Sequence, residues 1–215
     1  MKTVIISGGY VDDAFALDWL QKNKYDRLVA ADSGMNFLYR NQIMPDVIAG
    51  DFDSVSKEAY EYFAETEDIE MIRLNPMKDD TDTEFVIREA IRRGATEITV
   101  LGATGTRLDH VLGNVHLLGI GFSHDVAITL VDAHNRIRMV KDELVIDRAS
   151  QFGQFVSILP FTGEAKGVTL KGFKYPLENA IIESFCSLGI SNEIVEEQAI
   201  IRVKDGILLV VEARD

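Results

Sequence analysis

The chain has a single cysteine, Cys186, a single tryptophan, Trp19, and four prolines in 215 residues. One cysteine excludes an internal disulfide. Its neighbours Ser184, Phe185 and Ser187 offer neither a base nor a metal ligand, so Cys186 reads as a buried or semi-buried thiol. No apolar run approaches the ~20 residues of a membrane-spanning helix. The opening MKTVIISGGY has only a short apolar stretch before Gly8, and it reads as a first strand rather than a secretory leader. The expectation is a cytoplasmic protein that engages no membrane. Basic residues are also scarce: 22 Lys and Arg stand against 35 Asp and Glu, a formal net charge of -13. A general nucleic-acid surface would be basic, so nucleic acid is excluded as a partner. The balance fits a solvated acidic surface and, locally, a site that collects cations. Phosphate-loop signatures are missing as well. No G-x-G-x-x-G follows the first strand, and the glycine-rich segment 102–110 contains no Lys-Ser or Lys-Thr, so it is not a Walker A loop.

What is present is alternation. Apolar runs at 3–7, 27–32, 46–51, 69–74 and 97–103 read as strands. Segments with helical spacing at 11–23, 34–42, 56–65, 81–94 and 108–121 separate or follow them. On the first helix Phe15, Trp19 and Leu20 share one side, which places Trp19 in the core. Ser56 is the expected N-cap of the third helix. Thr81 with Glu84 forms a capping-box pattern at the start of the fourth, and Gly94 is its expected stop. Nearly continuous apolar strands between helices imply a parallel sheet covered on both faces. From residue 126 the pattern changes to short strands and turns, with 199–203, Lys204-Asp205-Gly206 and 207–213 reading as a hairpin. The fold expected is α/β: a three-layer domain with a mainly parallel sheet over residues 1–123, then an all-β sandwich domain over 124–215.

Open parallel sheets bind ligands at the carboxyl ends of their strands. The polar clusters collect there: Gly8-Gly9, then Asp32, then Asp51 and Asp53 in GDFDSV, then Asp79, Asp80 and Asp82 in KDDTDTE, then GATGTRLDH at 102–110. Asp51 and Asp53 alternate across one residue, so in extended backbone they point the same way. Asp79 and Asp82 flank a helix N-terminus, whose dipole relieves part of their repulsion. Several converging carboxylates need a cation or shifted pKa values, and oxygen donors with open positions suit Mg²⁺ together with an anionic substrate. Asp80 and Glu84 read as solvated helix-start acids. Gly102 and Gly105 permit close backbone approach, and Arg107 can clamp a phosphate. His110 fits a structural histidine as well as a ligand contact. His116, His124 and His134 have no ligand spacing.

GDFDS, K-D-x-T-D at 78–82 and G-x-x-G-x-R-x-D-H at 102–110, with ADSG at 31–34 and GISNE at 189–193, resemble thiamine pyrophosphokinase in order and spacing over essentially the whole chain. The resemblance implies a Mg²⁺-dependent transfer of the pyrophosphoryl group of ATP to the hydroxyl of thiamine, giving thiamine diphosphate and AMP. It also implies a homodimer with the site at the subunit interface. Asp51, Asp53, Asp79 and Asp82 then become the catalytic and metal-holding acids. Asp32, Gly102, Gly105, Arg107, Asp109 and His110 fall on the nucleotide side, and Ser191 and Asn192 face thiamine. Animal members carry an aromatic residue shortly after the Ser-Asn pair. Here Glu193 and Ile194 follow, and the group stacking on thiamine is unassigned. Two rival readings remain. One is a D-x-D phosphatase with Asp51 as nucleophile, although in such enzymes the motif follows the first strand rather than the third. The other is a catalytically inactive nucleotide- or thiamine-binding protein.

Overall fold

The computed structural model describes every residue except Pro76 and Lys78, so Lys78 of the K-D-x-T-D segment lies outside the described residues. The chain divides into two compact units, Met1–Ala133 and His134–Asp215. The strand Ala127–Val131 belongs to the first, where it runs parallel to its neighbour Glu97–Leu101. The first unit therefore extends ten residues beyond the boundary at 123 expected from the sequence. The change of pattern near residue 126 marks the last parallel strand, which no long helix follows.

In the first unit the strands are β1 (Lys2–Ile6), β2 (Arg27–Ala31), β3 (Val47–Gly50), β4 (Glu70–Arg73), β5 (Glu97–Leu101) and β6 (Ala127–Val131). Their spatial order is β6-β5-β1-β2-β3-β4, with every pairing parallel. Apart from their first residues, β1, β2 and β5 are buried throughout, as is all of β3. Successive strand residues point to opposite faces, so burial of both sets means that both faces of the sheet are covered. The cover comes from α1 (Asp13–Lys22), α2 (Gly34–Arg40), α3 (Lys57–Ala64), α4 (Asp82–Arg92) and α5 (Leu108–Leu117), the last continuing into a 3₁₀ turn at Leu118–Ser123. Local signals set the helix ends. The Ser56 hydroxyl accepts from Ala59 N–H at 3.2 Å, and Thr81 accepts from Glu84 N–H at 3.1 Å. The Glu84 carboxylate accepts from Arg88 at 2.7 Å. Gly94, at φ +88°, ends α4 as expected. Trp19 is half-buried, on the same helix as the buried Ala16 and Leu20.

The second unit is an antiparallel sandwich. One sheet joins β7 (Asn135–Val140), β9 (Phe155–Pro160), β12 (Asn192–Glu193) and β14 (Leu208–Ala213). The other joins β8 (Glu143–Asp147), β10 (Glu164–Lys171), β11 (Leu177–Glu183) and β13 (Gln198–Arg202). Val156, Ile158, Leu208 and Val210 of the first pack in one core with Val168, Leu170, Ile182 and Ile201 of the second. Each fully buried side chain of this size contributes about 1.5–3 kcal/mol. The expected hairpin over 199–213 is not formed, because its two strands lie in different sheets. The turn between them is held instead by β10: Lys166 N–H donates to Asp205 O at 2.9 Å, and Lys204 N–H donates to Lys166 O at 3.0 Å. One end of the core is closed by charge. Glu212, fully buried, accepts from Arg136 Nε at 2.7 Å, from Arg138, and from Phe152 N–H at 3.0 Å. Burial alone would raise the Glu212 carboxyl, but these partners hold it below its ordinary value. Cys186 is exposed rather than buried, with its thiol 3.0 Å from Glu183 O.

Candidate active site

The strand order reverses at β1, which lies between β2 and β5, so the loops after β1 and β5 meet at the switch point where open parallel sheets form a ligand crevice. The two loops are stitched together. Gly9 N–H donates to Gly102 O at 2.8 Å, and Tyr10 N–H donates to Thr104 O at 3.0 Å. A Cβ at Gly9 would meet Thr104 O at 2.3 Å, so only glycine allows this approach. Gly102, at φ +70°, makes room for the Ser7 carbonyl and for Val11 rather than for a ligand. Gly105 does line the crevice. Asn114 of α5 donates to Ala103 O at 2.7 Å and so ties the helix to the same loop.

The resulting pocket, of about 690 Å³, is lined by the loops after β1, β2, β3, β4 and β5. Asp32 sits at φ +46° at the end of β2, tight behind Gly50, where a Cβ would lie 2.9 Å from Asp32 Cα. Phe52, at φ +66°, then bends GDFDSV back, and Asp53 N–H donates to Asp51 Oδ1 at 3.2 Å. Asp51 and Asp53 therefore share a side because of a tight turn, not because of extended alternation. One carboxylate oxygen each from Asp32, Asp51 and Asp53 lies within 4.8 Å of the others. Oδ1 of Asp32 is buried and accepts no hydrogen bond. Burial pushes the Asp32 carboxyl above its ordinary pKa; a backbone hydrogen bond from Ser33 opposes this, and the charges of Asp82, Asp51 and Asp53 add to it.

The other expected residues divide. Asp82 opens α4, lines the pocket and acts electrostatically on Asp32. Asp80, read from sequence as a solvated acid, also lines the pocket. Asp79 is exposed and lies neither in the three-carboxylate cluster nor along the pocket wall. Arg107 and His110 line the pocket. Asp109 pairs with Arg107 at 2.5 Å, and that guanidinium holds its carboxyl down at about 2. Ser191 is exposed at φ +55°, its N–H donating to Ser157 Oγ at 2.9 Å. Asn192 is buried, and its amide is engaged by the backbone of Tyr175. Tyr175 N–H donates to Asn192 Oδ1 at 3.0 Å, and Asn192 Nδ2 donates to Tyr175 O at 2.8 Å. Asn192 thus fixes the backbone of Tyr175, whose side chain is exposed. Ser7, Tyr10, Thr83 and Asn114 line the pocket without having been singled out from the sequence. Ser7 and Tyr10 flank the flagged Gly8-Gly9, but nothing in the pattern marked Thr83 or Asn114.

Fold and site together define a class: a two-domain α/β protein with an acidic ligand pocket at the carboxyl edge of a parallel sheet. Comparison with known proteins narrows it. Residues 19–130 match the model of the thiamin pyrophosphokinase catalytic domain, and 141–208 that of the thiamin pyrophosphokinase vitamin B1 binding domain. The thiamine pyrophosphokinase of Bacillus subtilis (strain 168) is 30% identical over 187 residues, covering 87% of each chain. A crystal structure of the Bacillus subtilis enzyme superposes with a TM-score of 0.89 at 28% identity, covering 100% of both chains. That of Geobacillus thermodenitrificans thiamin pyrophosphokinase gives 0.86 at 29% identity, over 100% of this chain and 98% of that one. The chain belongs to the thiamine pyrophosphokinase family. That assignment does not favour the phosphatase or the inactive binder. No helix among the described residues is long and apolar enough to cross a membrane.

Proposed function

We propose that this chain transfers the pyrophosphoryl group of ATP to the hydroxyl of thiamine, giving thiamine diphosphate and AMP, with Mg²⁺ as its metal. The observation that carries the reading is the convergence of Asp32, Asp51 and Asp53 beside a pocket that Arg107 also lines. The donor set fits the ion: three carboxylates gather, and the buried Asp32 Oδ1 has no protein partner. Asp32, Asp51 and Asp53 would hold Mg²⁺, with Asp82 facing them from α4; Asp79 is not needed. When bound, Mg²⁺ offsets charge developing on the phosphate oxygens.

The chain's own residues do the rest. Arg107, Gly105 and His110 receive the phosphates, with Asp109 orienting Arg107. The thiamine oxygen bonds to the β-phosphorus, the bridging α–β bond breaks, and its electron pair leaves with AMP. An aspartate carboxylate takes the hydroxyl proton. Ser191 and the Tyr175 ring held by Asn192 supply the thiamine side. A homodimer with the site completed at its interface, and a cytoplasmic location, belong to the same proposal. In its support, Leu188, Ile190 and Val195, close to Ser191 in sequence, are exposed apolar residues.

Asp53→Asn at saturating Mg²⁺ tests the metal assignment. Turnover should fall by roughly 10²–10³-fold or more, the scale of losing a group that stabilises transition-state charge. Near-normal turnover would remove Asp53 from the site.

A further inference from the structure

Two buried hydroxyls in the pocket have no part in the scheme above. Ser7 and Thr83 are 3% and 8% exposed, their hydroxyl oxygens lie 2.6 Å apart, and both line the pocket. Ser7 is fixed at the end of β1, where its N–H donates to Leu101 O at 2.8 Å and its carbonyl packs where Gly102 has no side chain. Thr83 follows Asp82 in the first turn of α4. The bond therefore ties the two loops at the switch point to the helix that carries Asp82.

The hydrogen count is informative. Two hydroxyls carry two hydrogens, and their mutual bond uses one, whichever oxygen donates. Among the described residues neither hydroxyl makes a second side-chain hydrogen bond. One O–H is thus left beside a pocket whose acidic walls, Asp32, Asp51, Asp80 and Asp82, offer it no bond and would repel a polyphosphate. A neutral donor favours the phosphate oxygens without adding charge, and a donor buried away from water competes with little solvent.

We propose that the Ser7–Thr83 pair is a ligand-binding element: its second hydrogen is donated to a phosphate oxygen of the bound nucleotide, and the pair holds Asp82 in register with Asp32, Asp51 and Asp53. The identity of the ligand rests on the reaction proposed above. The test is calorimetric binding of α,β-methylene-ATP with Mg²⁺, alongside steady-state kinetics, for Thr83→Val, Thr83→Ser and Ser7→Ala. Thr83→Val keeps the shape and removes the hydroxyl. It should weaken binding of the analogue about tenfold to a hundredfold, the range for losing a hydrogen bond to a charged group. The KM for thiamine should stay within about twofold, and Thr83→Ser should recover most of the loss. Because the pair acts as a unit, the double variant Ser7→Ala/Thr83→Val should bind no worse than the weaker single variant.

Unchanged analogue binding by a folded Thr83→Val protein would overturn the proposal. So would a failure of both Thr83→Val and Ser7→Ala to fold cooperatively, since the pair would then be purely structural. A wild-type protein that binds the analogue but transfers nothing to thiamine would refute the proposed reaction and leave the test of the pair intact.

Discussion

Asp51→Asn should make the metal-free protein more stable while abolishing its response to Mg²⁺. The ligand oxygens of Asp32, Asp51 and Asp53 lie within 4.8 Å of one another. At an effective dielectric near 20, each such charge pair repels by roughly 3.5 kcal/mol, and Asp51 takes part in two. Two effects reduce this. Asp53 is exposed and Asp51 only half-buried, so water solvates both carboxylates, and salt screens their charges. About 1 kcal/mol should survive, a rise of about 2–4 °C in melting temperature for a chain of this size. Asparagine keeps an oxygen for the Asp53 N–H, so the turn itself need not open. The assay is thermal unfolding in chelator at low salt, repeated with excess Mg²⁺. The substituted protein should melt higher than wild type in chelator, the gap should narrow with salt, and Mg²⁺ should raise only the wild-type value. A lower melting temperature for Asp51→Asn in chelator would refute the repulsion argument, and an equal Mg²⁺ response would refute the ligand assignment.

Other expectations follow from particular contacts. Glu212→Gln leaves Arg136 and Arg138 without their buried counter-charge and should cost about 3–5 kcal/mol in denaturant unfolding. Glu89 pairs with Arg92 and Arg93, and the Arg92 hydrogen bond, ahead of that from Arg93, holds its carboxyl at about 2 in the face of desolvation, against 4.5 unperturbed. A lowered folded pKa stabilises fully above about 4.5, and the gain is lost as pH falls through about 2. Glu89→Gln should therefore cost about 1 kcal/mol at pH 7 and progressively less below pH 4.5, read from melting temperature against pH. Asn192→Ala releases the backbone of Tyr175 and should raise KM for thiamine about tenfold while leaving KM for ATP nearly unchanged. An effect on ATP instead would place Tyr175 elsewhere.

The parallel domain was legible because its signals are local. Continuous apolar strands, Ser56 and Thr81 caps and the Gly94 stop each act within a few residues. The acidic edge was legible because the carboxyl ends of parallel strands gather whatever their loops carry. Contacts between distant loops were not legible. Asp32 joins Asp51 and Asp53 because Gly50 has no side chain, and Asp79 turns away although it lies only three residues from Asp82. Gly102 was rightly expected to allow close approach, but the approaching group is the Ser7 carbonyl. The 199–213 segment shows the same limit in the sandwich. Two strands flanking a tight turn look like a hairpin, but they pair in different sheets, and β10 bonds to the turn between them. The tie between Asn192 and the Tyr175 backbone, 17 residues away in sequence, was not legible for the same reason.

The most direct measurement is product analysis after mixing the protein with ATP, Mg²⁺ and thiamine. Equal amounts of AMP and thiamine diphosphate, absent without thiamine, are the predicted result. ADP with thiamine monophosphate, or turnover indifferent to thiamine, would contradict pyrophosphoryl transfer at the acidic edge.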